Sequence, residues 1–400
     1  MPVDFDDVNL LETTEVKPGE KWLYAADFNV DEPIDGACAR IDCELDDIAY
    51  LVRSGASVAI LAHKGRHKDG SATDLGFVCD YLSSELSAAV DRHVAVHYFP
   101  ENVGDNALAF IWAIGPGSVA VMGNTRMHAG EEAGDDVLAE RFADLGDKVA
   151  VGGFGKAHRK HASNHTILES IPGYLTKSQQ REMEQLNFWA GNSDRYSVAV
   201  LGGIKKEKIT DGLVGLAKNY DVIIPGGIVL NTILKVMGME VGDSILQDSG
   251  KSFEGQVAEV LNEYGSKICV PNTVIVYNPG TGKSDSLSVD QGVPEGYRIV
   301  DYELPIEGLC ALRKVRKDRG RLLVAGTPGL YKEGFTSATD VVLNTMHAMQ
   351  TGAIVLGGDT AKELDYHRFS TGGGSALYFV SHGTTPVFEA LKMNKQRFNV

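Results

Sequence analysis

The sequence predicts an α/β protein of two doubly wound parallel-sheet domains joined by a helix. Short apolar runs recur along the chain with helix-length segments between them, and the residues just after each run change from basic in the first half to glycine in the second. Continuous apolar runs of this length suit strands buried on both faces, as in a parallel sheet flanked by helices. The chain's 400 residues are enough for two cores.

Taken in order, Tyr24-Ala25-Ala26 ends a first strand and leads into Asp27-Phe28-Asn29. Arg40 comes next. Val58-Ala59-Ile60-Leu61 runs into His63-Lys64-Gly65-Arg66, and Val119-Ala120-Val121-Met122 into Arg126-Met127-His128. A helix is predicted from Asp135 to Leu145. Val149-Ala150-Val151 then precedes the densest basic run, Gly155-Lys156-Ala157-His158-Arg159-Lys160-His161-Ala162-Ser163. Thr176-x-x-Gln179 has the form of a capping box, good helix formers continue to Ala190, and Gly191-Asn192 can end the helix. The expected organisation is therefore an N-terminal domain over residues 1–175, an interdomain helix and linker over 176–196, and a C-terminal domain over 197–385. Residues 386–400 are expected to form a tail packing back on the N-terminal domain.

Later runs are Val198-Ala199-Val200-Leu201, Val222-Ile223-Ile224, Ile268-Cys269-Val270, Leu322-Leu323-Val324 and Ile354-Val355-Leu356. Glycine turns accompany this half: Gly202-Gly203, Gly226-Gly227, Gly326-Thr327-Pro328-Gly329, Gly357-Gly358 and Gly372-Gly373-Gly374. Ligands of open α/β sheets bind beyond the carboxyl ends of strands. The first half is thus predicted to take a small anion, and the second a larger phosphorylated molecule that needs close backbone approach.

Charge supports an anion rather than a nucleic-acid partner. The formal net charge is −16 and the pI about 5.1, whereas nucleic-acid binding asks for a basic face. Basic islands inside so acidic a chain would repel themselves unless an anion filled them. No apolar stretch approaches the roughly 20 residues of a membrane span, and the acidic N-terminus is unlike a secretory signal. Five cysteines without zinc-type spacing suggest thiols in a reducing cytoplasm.

Several motifs carry competing readings. His158, His161 and His165 have ligand chemistry, but neighbouring Lys156, Arg159 and Lys160 oppose a cation. Asp27 and Asn29 could hold a substrate hydroxyl or simply form a turn. Gly280-Thr281-Gly282-Lys283-Ser284 lacks the first glycine of a P-loop, with Tyr277 in its place, and reads as a surface turn. Asp359 and Thr360 suit either a helix cap or a phosphate and Mg²⁺ site. Gly372 to Gly374 suit either a flexible loop or an anion nest.

Together these motifs resemble the phosphoglycerate kinase family over nearly the whole chain. Phe154-Gly155-Lys156-Ala157-His158-Arg159-Lys160-His161-Ala162-Ser163 is close to the family's Phe-Gly-Thr-Ala-His-Arg-x-His-Ala-Ser. Asn124-Thr125-Arg126-Met127-His128-Ala129-Gly130-Glu131-Glu132 is similar to its Asn-Leu-Arg-Phe-His-x-Gly-Glu-Glu, and His63-Lys64-Gly65-Arg66 to its His-x-Gly-Arg. The resemblance implies Mg²⁺-dependent, reversible phosphoryl transfer between ATP and the carboxylate of 3-phosphoglycerate, in glycolysis or gluconeogenesis, by a hinge-bending cytoplasmic enzyme, expected to be a monomer. It implies that Asp27 and Asn29 orient the acid and that His63, Arg66, Arg126 and Arg159 bind its phosphate. Arg40, Lys205, Lys208 and Gly373 would be catalytic. Gly202, Gly203, Gly226, Gly227, Lys332, Gly358, Asp359 and Thr360 would bind nucleotide, with Asp359 on the metal.

The chain also departs from the family. The lysines of Gly-Gly-x-Lys-x-x-x-Lys are one residue closer here, through Lys205-Lys206-Glu207-Lys208. The family's ribose glutamate falls on Lys332, or on Glu333 after a one-residue shift. An arginine is replaced by Ala25, an Asn-Asp pair by Gly152-Gly153, and a glutamate by Gly123. A relative acting on another anionic carboxylic acid, or using another donor, is the alternative expectation. No Ser-His or Cys-His arrangement suggests a covalent nucleophile, and no complete Gly-x-Gly-x-x-Gly follows a strand as a dehydrogenase would need.

Overall fold

The computed structural model describes residues 3–246, 252–349 and 351–398. The chain divides into two compact units, Asp4–Glu184 with the segment from Thr385 onward, and Gln185–Thr384 with the first three residues.

The first unit is built on six strands: β1 (Lys21–Ala25), β2 (Ser57–Leu61), β3 (Val96–Phe99), β4 (Val119–Met122), β5 (Lys148–Val151) and β6 (Gly173–Leu175). Their order is β3-β4-β2-β1-β5-β6, and every pairing is parallel. β2 and β4 are buried along their whole length, which is why they read as unbroken apolar runs. In β1 the alternation sends Trp22 and Tyr24 into one core with Phe28, Ile48 and Ile60. The chain runs outward from β1 in both directions, so the sheet's switch point lies between β1 and β5. β3 and β6 escape a search for long apolar runs because one is Val-His-Tyr-Phe and the other has three residues. The helix expected at Asp135 to Leu145 spans Asp136–Ala143, with the Asp135 carboxylate accepting from the Leu138 amide at 2.8 Å.

In the second unit β7 (Ser197–Leu201), β8 (Val222–Pro225), β12 (Arg321–Ala325), β13 (Ala353–Leu356) and β14 (Phe369–Ser370) form a parallel sheet in the order β14-β13-β12-β7-β8. Between them β9 (Thr273–Asn278), β10 (Lys283–Ser288) and β11 (Arg298–Tyr302) make a separate antiparallel sheet. Two expectations need correction here. Ile268-Cys269-Val270 is no strand; it contributes one bridge from Ile268 to Ile223. The polar stretch expected as a surface turn is a hairpin, in which only Pro279–Gly282 turn and Lys283 already opens β10. Period-2 burial in β9, with Val274 and Val276 inward, is the signal for that sheet.

The capping box before the helix Lys177–Leu186 is only half made. Thr176 Oγ1 accepts from the Gln179 amide at 3.4 Å, but the Gln179 side chain donates to Gly152 O instead of reaching back. Buried Asp47 caps this helix from outside, its two oxygens accepting the Lys177 and Ser178 amides at 2.9 and 3.0 Å.

The C-terminal helix Pro386–Phe398 packs in the first unit. Asn394 ties it there: its Oδ1 accepts from Gly173 N at 2.7 Å, and its Nδ2 donates to Leu168 O and Ile171 O. Asn394→Ala orphans buried partners at three points and should destabilise this unit by about 2–3 kcal/mol, read as a lower urea midpoint. An unchanged midpoint would show that the helix is held by its apolar face alone.

Candidate functional site

In the first unit the candidate residues lie just beyond β1, β2, β4 and β5, at the carboxyl edge of the sheet. Asp27 is 5% exposed. Its Oδ2 accepts from Arg40 Nη1 at 2.8 Å, while its Oδ1 has no partner. Asn29 is exposed and does a structural job, its Oδ1 accepting from the Gly65 amide at 3.1 Å. Arg126, 2% exposed, donates to Gly65 O, and its Nη2 lies 3.9 Å from Glu132. Burial, and the nearness of Arg159 and Arg66, push the Arg126 guanidinium below its ordinary range. Arg66 is exposed, and Arg159 half-buried.

The imidazoles are not part of the positive charge. His63 is held well below its ordinary value by burial and by Arg126, Lys156, His161 and Arg159. Burial and neighbouring cations likewise push His158 and His161 down to about 3. They are neutral at neutral pH, and Arg159 Nε donates to a lone pair on His158 Nε2 at 3.3 Å. The basic run thus needs correcting in two ways: its histidines are neutral, and Lys156, 3% exposed, turns inward among Glu131, Asp27 and Glu44. Among the described residues no three His, Cys, Asp or Glu come together as metal ligands.

In the second unit glycine turns follow β7, β8, β12 and β13. A Cβ on Gly202 would overlap Thr327 O, and one on Gly227, at φ +50°, would overlap Gly203 O. These loops pack backbone on backbone. The cleft beside them is lined by Gly203, Ile204, Gly227, Ile299, Val300 and Leu330, among others. Gly202 and Gly226, expected to touch nucleotide, are not on that lining: they lie behind it and let the loops meet. The apolar floor from β11 leaves no clear sequence signal, because Arg298–Tyr302 mixes charged and apolar residues.

Gly357 opens the helix Gly358–Glu363 with no side-chain cap, so neither Asp359 nor Thr360 is used as one. Asp359 is exposed in the first helical turn, and no hydrogen bond or ion pair engages it among the described residues. A free carboxylate there fits Mg²⁺ held jointly with nucleotide phosphates, since this ion usually takes one or two carboxylates. Gly372 and Gly373 start the helix Gly373–His382, so the triple glycine presents a helix N-terminus to solvent rather than a floppy loop. Lys205 is exposed. Lys208, half-buried, is lowered to about 8 by burial and by Lys205. It begins a π-helix, Lys208–Leu213, whose Gly212 packs on Leu377. Lys332 is exposed, and its neighbour Glu333 is engaged by Arg298 at 2.8 Å.

The phosphoglycerate kinase family model matches residues 13–392. The chain belongs to the phosphoglycerate kinase family. It is 30% identical to phosphoglycerate kinase of Clavibacter michiganensis, covering 93% of this chain and 96% of that one. It is 29% identical to the Zymomonas mobilis enzyme, over 94% and 96%. The solved phosphoglycerate kinase of Coxiella burnetii superposes with a TM-score of 0.72 at 24% identity, covering 98% of this chain and 99% of that one, a likeness of fold. The chain is therefore a kinase transferring phosphate to a carboxyl group.

Departures from the family pattern have local packing reasons. Ala25 is fully buried in β1. A side chain at Gly123 would overlap Pro100 O, and one at Gly152 would overlap the Glu44 carboxylate.

Neutral buried histidines make acid a denaturant of this unit. The unfolded imidazole titrates near 6.5, so the stability His161 contributes is complete above that pH and falls as pH drops toward its folded value of about 3. The loss at pH 5 should be about 2 kcal/mol. In urea titrations at pH 7 and pH 5, His161→Gln should show the smaller drop; equal drops would mean that His161 stays charged when folded.

Proposed function

We propose that this chain catalyses reversible, Mg²⁺-dependent phosphoryl transfer between ATP and the carboxylate of 3-phosphoglycerate. The observation that supports it best is the first unit's strand-end cluster, in which Arg66 and Arg159 lie close enough to help depress buried Arg126, with buried Asp27 and its free oxygen at the same sheet edge. A phosphate answers three guanidinium groups through bidentate bonds, and a hydroxyl answers Asp27 Oδ1. A small acid carrying phosphate, hydroxyl and carboxylate uses all of them.

In this reading Arg66, Arg126, Arg159 and neutral His63 bind the phosphate of the acid. Asp27 accepts from its hydroxyl, and Asn29 holds the Gly65 loop. Arg40, nearly half exposed and anchored by Asp27, covers the carboxylate and stabilises charge on the transferring group. Gly203 and Gly227 let the nucleotide approach the backbone, and the apolar floor of Ile299, Val300 and Leu330 suits a flat base. Amides of Gly358, Thr360 and Gly373 sit at helix N-termini, where phosphate oxygens are favoured. Mg²⁺, with Asp359 as its protein ligand, would neutralise charge shared between nucleotide phosphates. Lys208 is favoured over Lys205 as the lysine on the transferring phosphoryl: burial beside a second cation leaves it short of negative charge. Lys332, exposed, and Glu333, tied to Arg298, leave the ribose without its usual carboxylate, so loose selection among nucleotides is part of the proposal. A cytoplasmic glycolytic or gluconeogenic setting follows from the substrates.

ATP-dependent acyl-phosphate formation from 3-phosphoglycerate, run with Mg²⁺ and several nucleotide donors, tests the reading directly. No turnover by folded protein would point to another anionic acid or donor. Arg159→Ala should raise the KM for the acid at least about tenfold, the order of one charged hydrogen bond, with the KM for ATP within about twofold. Equal losses on both substrates would contradict separate sites. Asp359→Ala should remove Mg²⁺-dependent turnover, and unchanged turnover would place the metal elsewhere.

A further inference from the structure

Glu44 falls outside the motifs that carry the family resemblance, yet it lies directly behind the acid site. It is 1% exposed. Its Oε1 accepts from the Asp27 main-chain amide at 2.9 Å, and its Oε2 lies beside the Tyr24 hydroxyl. On the far side of that carboxylate stands Gly152, just past β5, where any Cβ would overlap Glu44 Oε2 and crowd the Tyr24 hydroxyl. The family pattern carries an asparagine at this point. The side chain missing at 152 and the carboxylate at 44 therefore compete for one space. Lys156, which stands where the family motif has threonine, is buried beside Asp27, Glu44 and Glu131.

We propose that Glu44 is a positioning residue for the acid substrate: it fixes Asp27 through its amide, and Gly152 is the opening that admits it. The inference rests on the reading that Asp27 meets the acid. Fixing the Asp27 main chain aims Oδ1, which has no protein partner, while Arg40 holds Oδ2. Lys156 supplies a counter-charge that lets carboxylates gather behind the site without driving Asp27 outward. With no arginine at position 25, this inward lysine is the buried cation behind the hydroxyl subsite.

The test uses the full chain with Mg²⁺ and compares Glu44→Gln, Glu44→Leu and Gly152→Ala. Gln keeps an acceptor for the Asp27 amide, so its KM for 3-phosphoglycerate should stay within about threefold of the parent. Leu removes the acceptor, and Ala at 152 displaces it; each should raise that KM about tenfold, with the KM for ATP within about twofold. An unchanged acid KM in the Leu variant, or equal rises in both KM values, would overturn the proposal. Gly152→Ala covers the case in which Glu44→Leu does not fold. If the parent protein does not use 3-phosphoglycerate, the functional reading fails, and hydrogen exchange at the Asp27 amide decides this inference alone. Exchange about tenfold faster in Gly152→Ala than in the parent would support it, and unchanged exchange would overturn it.

Discussion

Holding several guanidinium groups close together before any ligand arrives costs Coulomb energy, and the first unit is arranged around containing that cost. Arg126 is the most constrained of them. It is almost fully buried and donates to Gly65 O, and Glu132 stands only 3.9 Å away. Charge on the neighbouring histidines would add repulsion that only unfolding could relieve. Burial keeps them neutral, so they offer hydrogen bonds without adding charge. Lys156, the buried cation of the run, is matched inside by Glu131 and Asp27, with Glu44 close by. Glu131 in turn is fixed by Ser163 Oγ at 2.6 Å and Ser163 N at 3.0 Å. Arg40 stays pinned by Asp27 at 2.8 Å, while Arg66 is exposed and Arg159 half-buried.

The second unit solves a different problem by a different means. Its loops pack backbone on backbone, at Gly202 against Thr327 and at Gly227 against Gly203. Side chains would hold these loops apart. Dipoles at the helix starts Gly358 and Gly373 then supply positive potential without full charges, and Lys208 adds one cation on a π-helical turn. A π-turn takes up one extra residue within the helix.

Both parallel sheets and the strand-end position of the basic and glycine turns are legible in the sequence, because strands buried on two faces leave unbroken apolar runs. Val119–Met122 shows this at its plainest. The features that escape such a reading depend on contacts between distant segments. Val96–Phe99 is an edge strand with a polar residue, and Thr273–Asn278 buries only alternate residues. In the basic run every residue looks alike as sequence, yet Lys156 is inside and Lys160 outside. Glu44 gives no signal, since one acidic residue among Asp42, Asp46 and Asp47 reads as a solvated helix start. Only the approach of β5 to β1 shows that it is enclosed.

The departures of this chain on its acid side are better understood as one change than as several losses. A glycine at 152 alone would leave a hole beside Tyr24, and a carboxylate at 44 alone would collide with any side chain there. Burial beside Asp27 pushes the Glu44 carboxyl up to about 8, so it is mostly protonated at neutral pH, and a cation behind it limits that rise. Lys156 provides that cation from the turn after β5. Each of the three is unfavourable by itself, as breaking a buried pair generally is, and together they close on Asp27. Glu44, Gly152 and Lys156 thus depend on one another: the glycine leaves room for the carboxyl, the carboxyl accepts from the Asp27 amide, and the lysine sets a positive charge beside both acids.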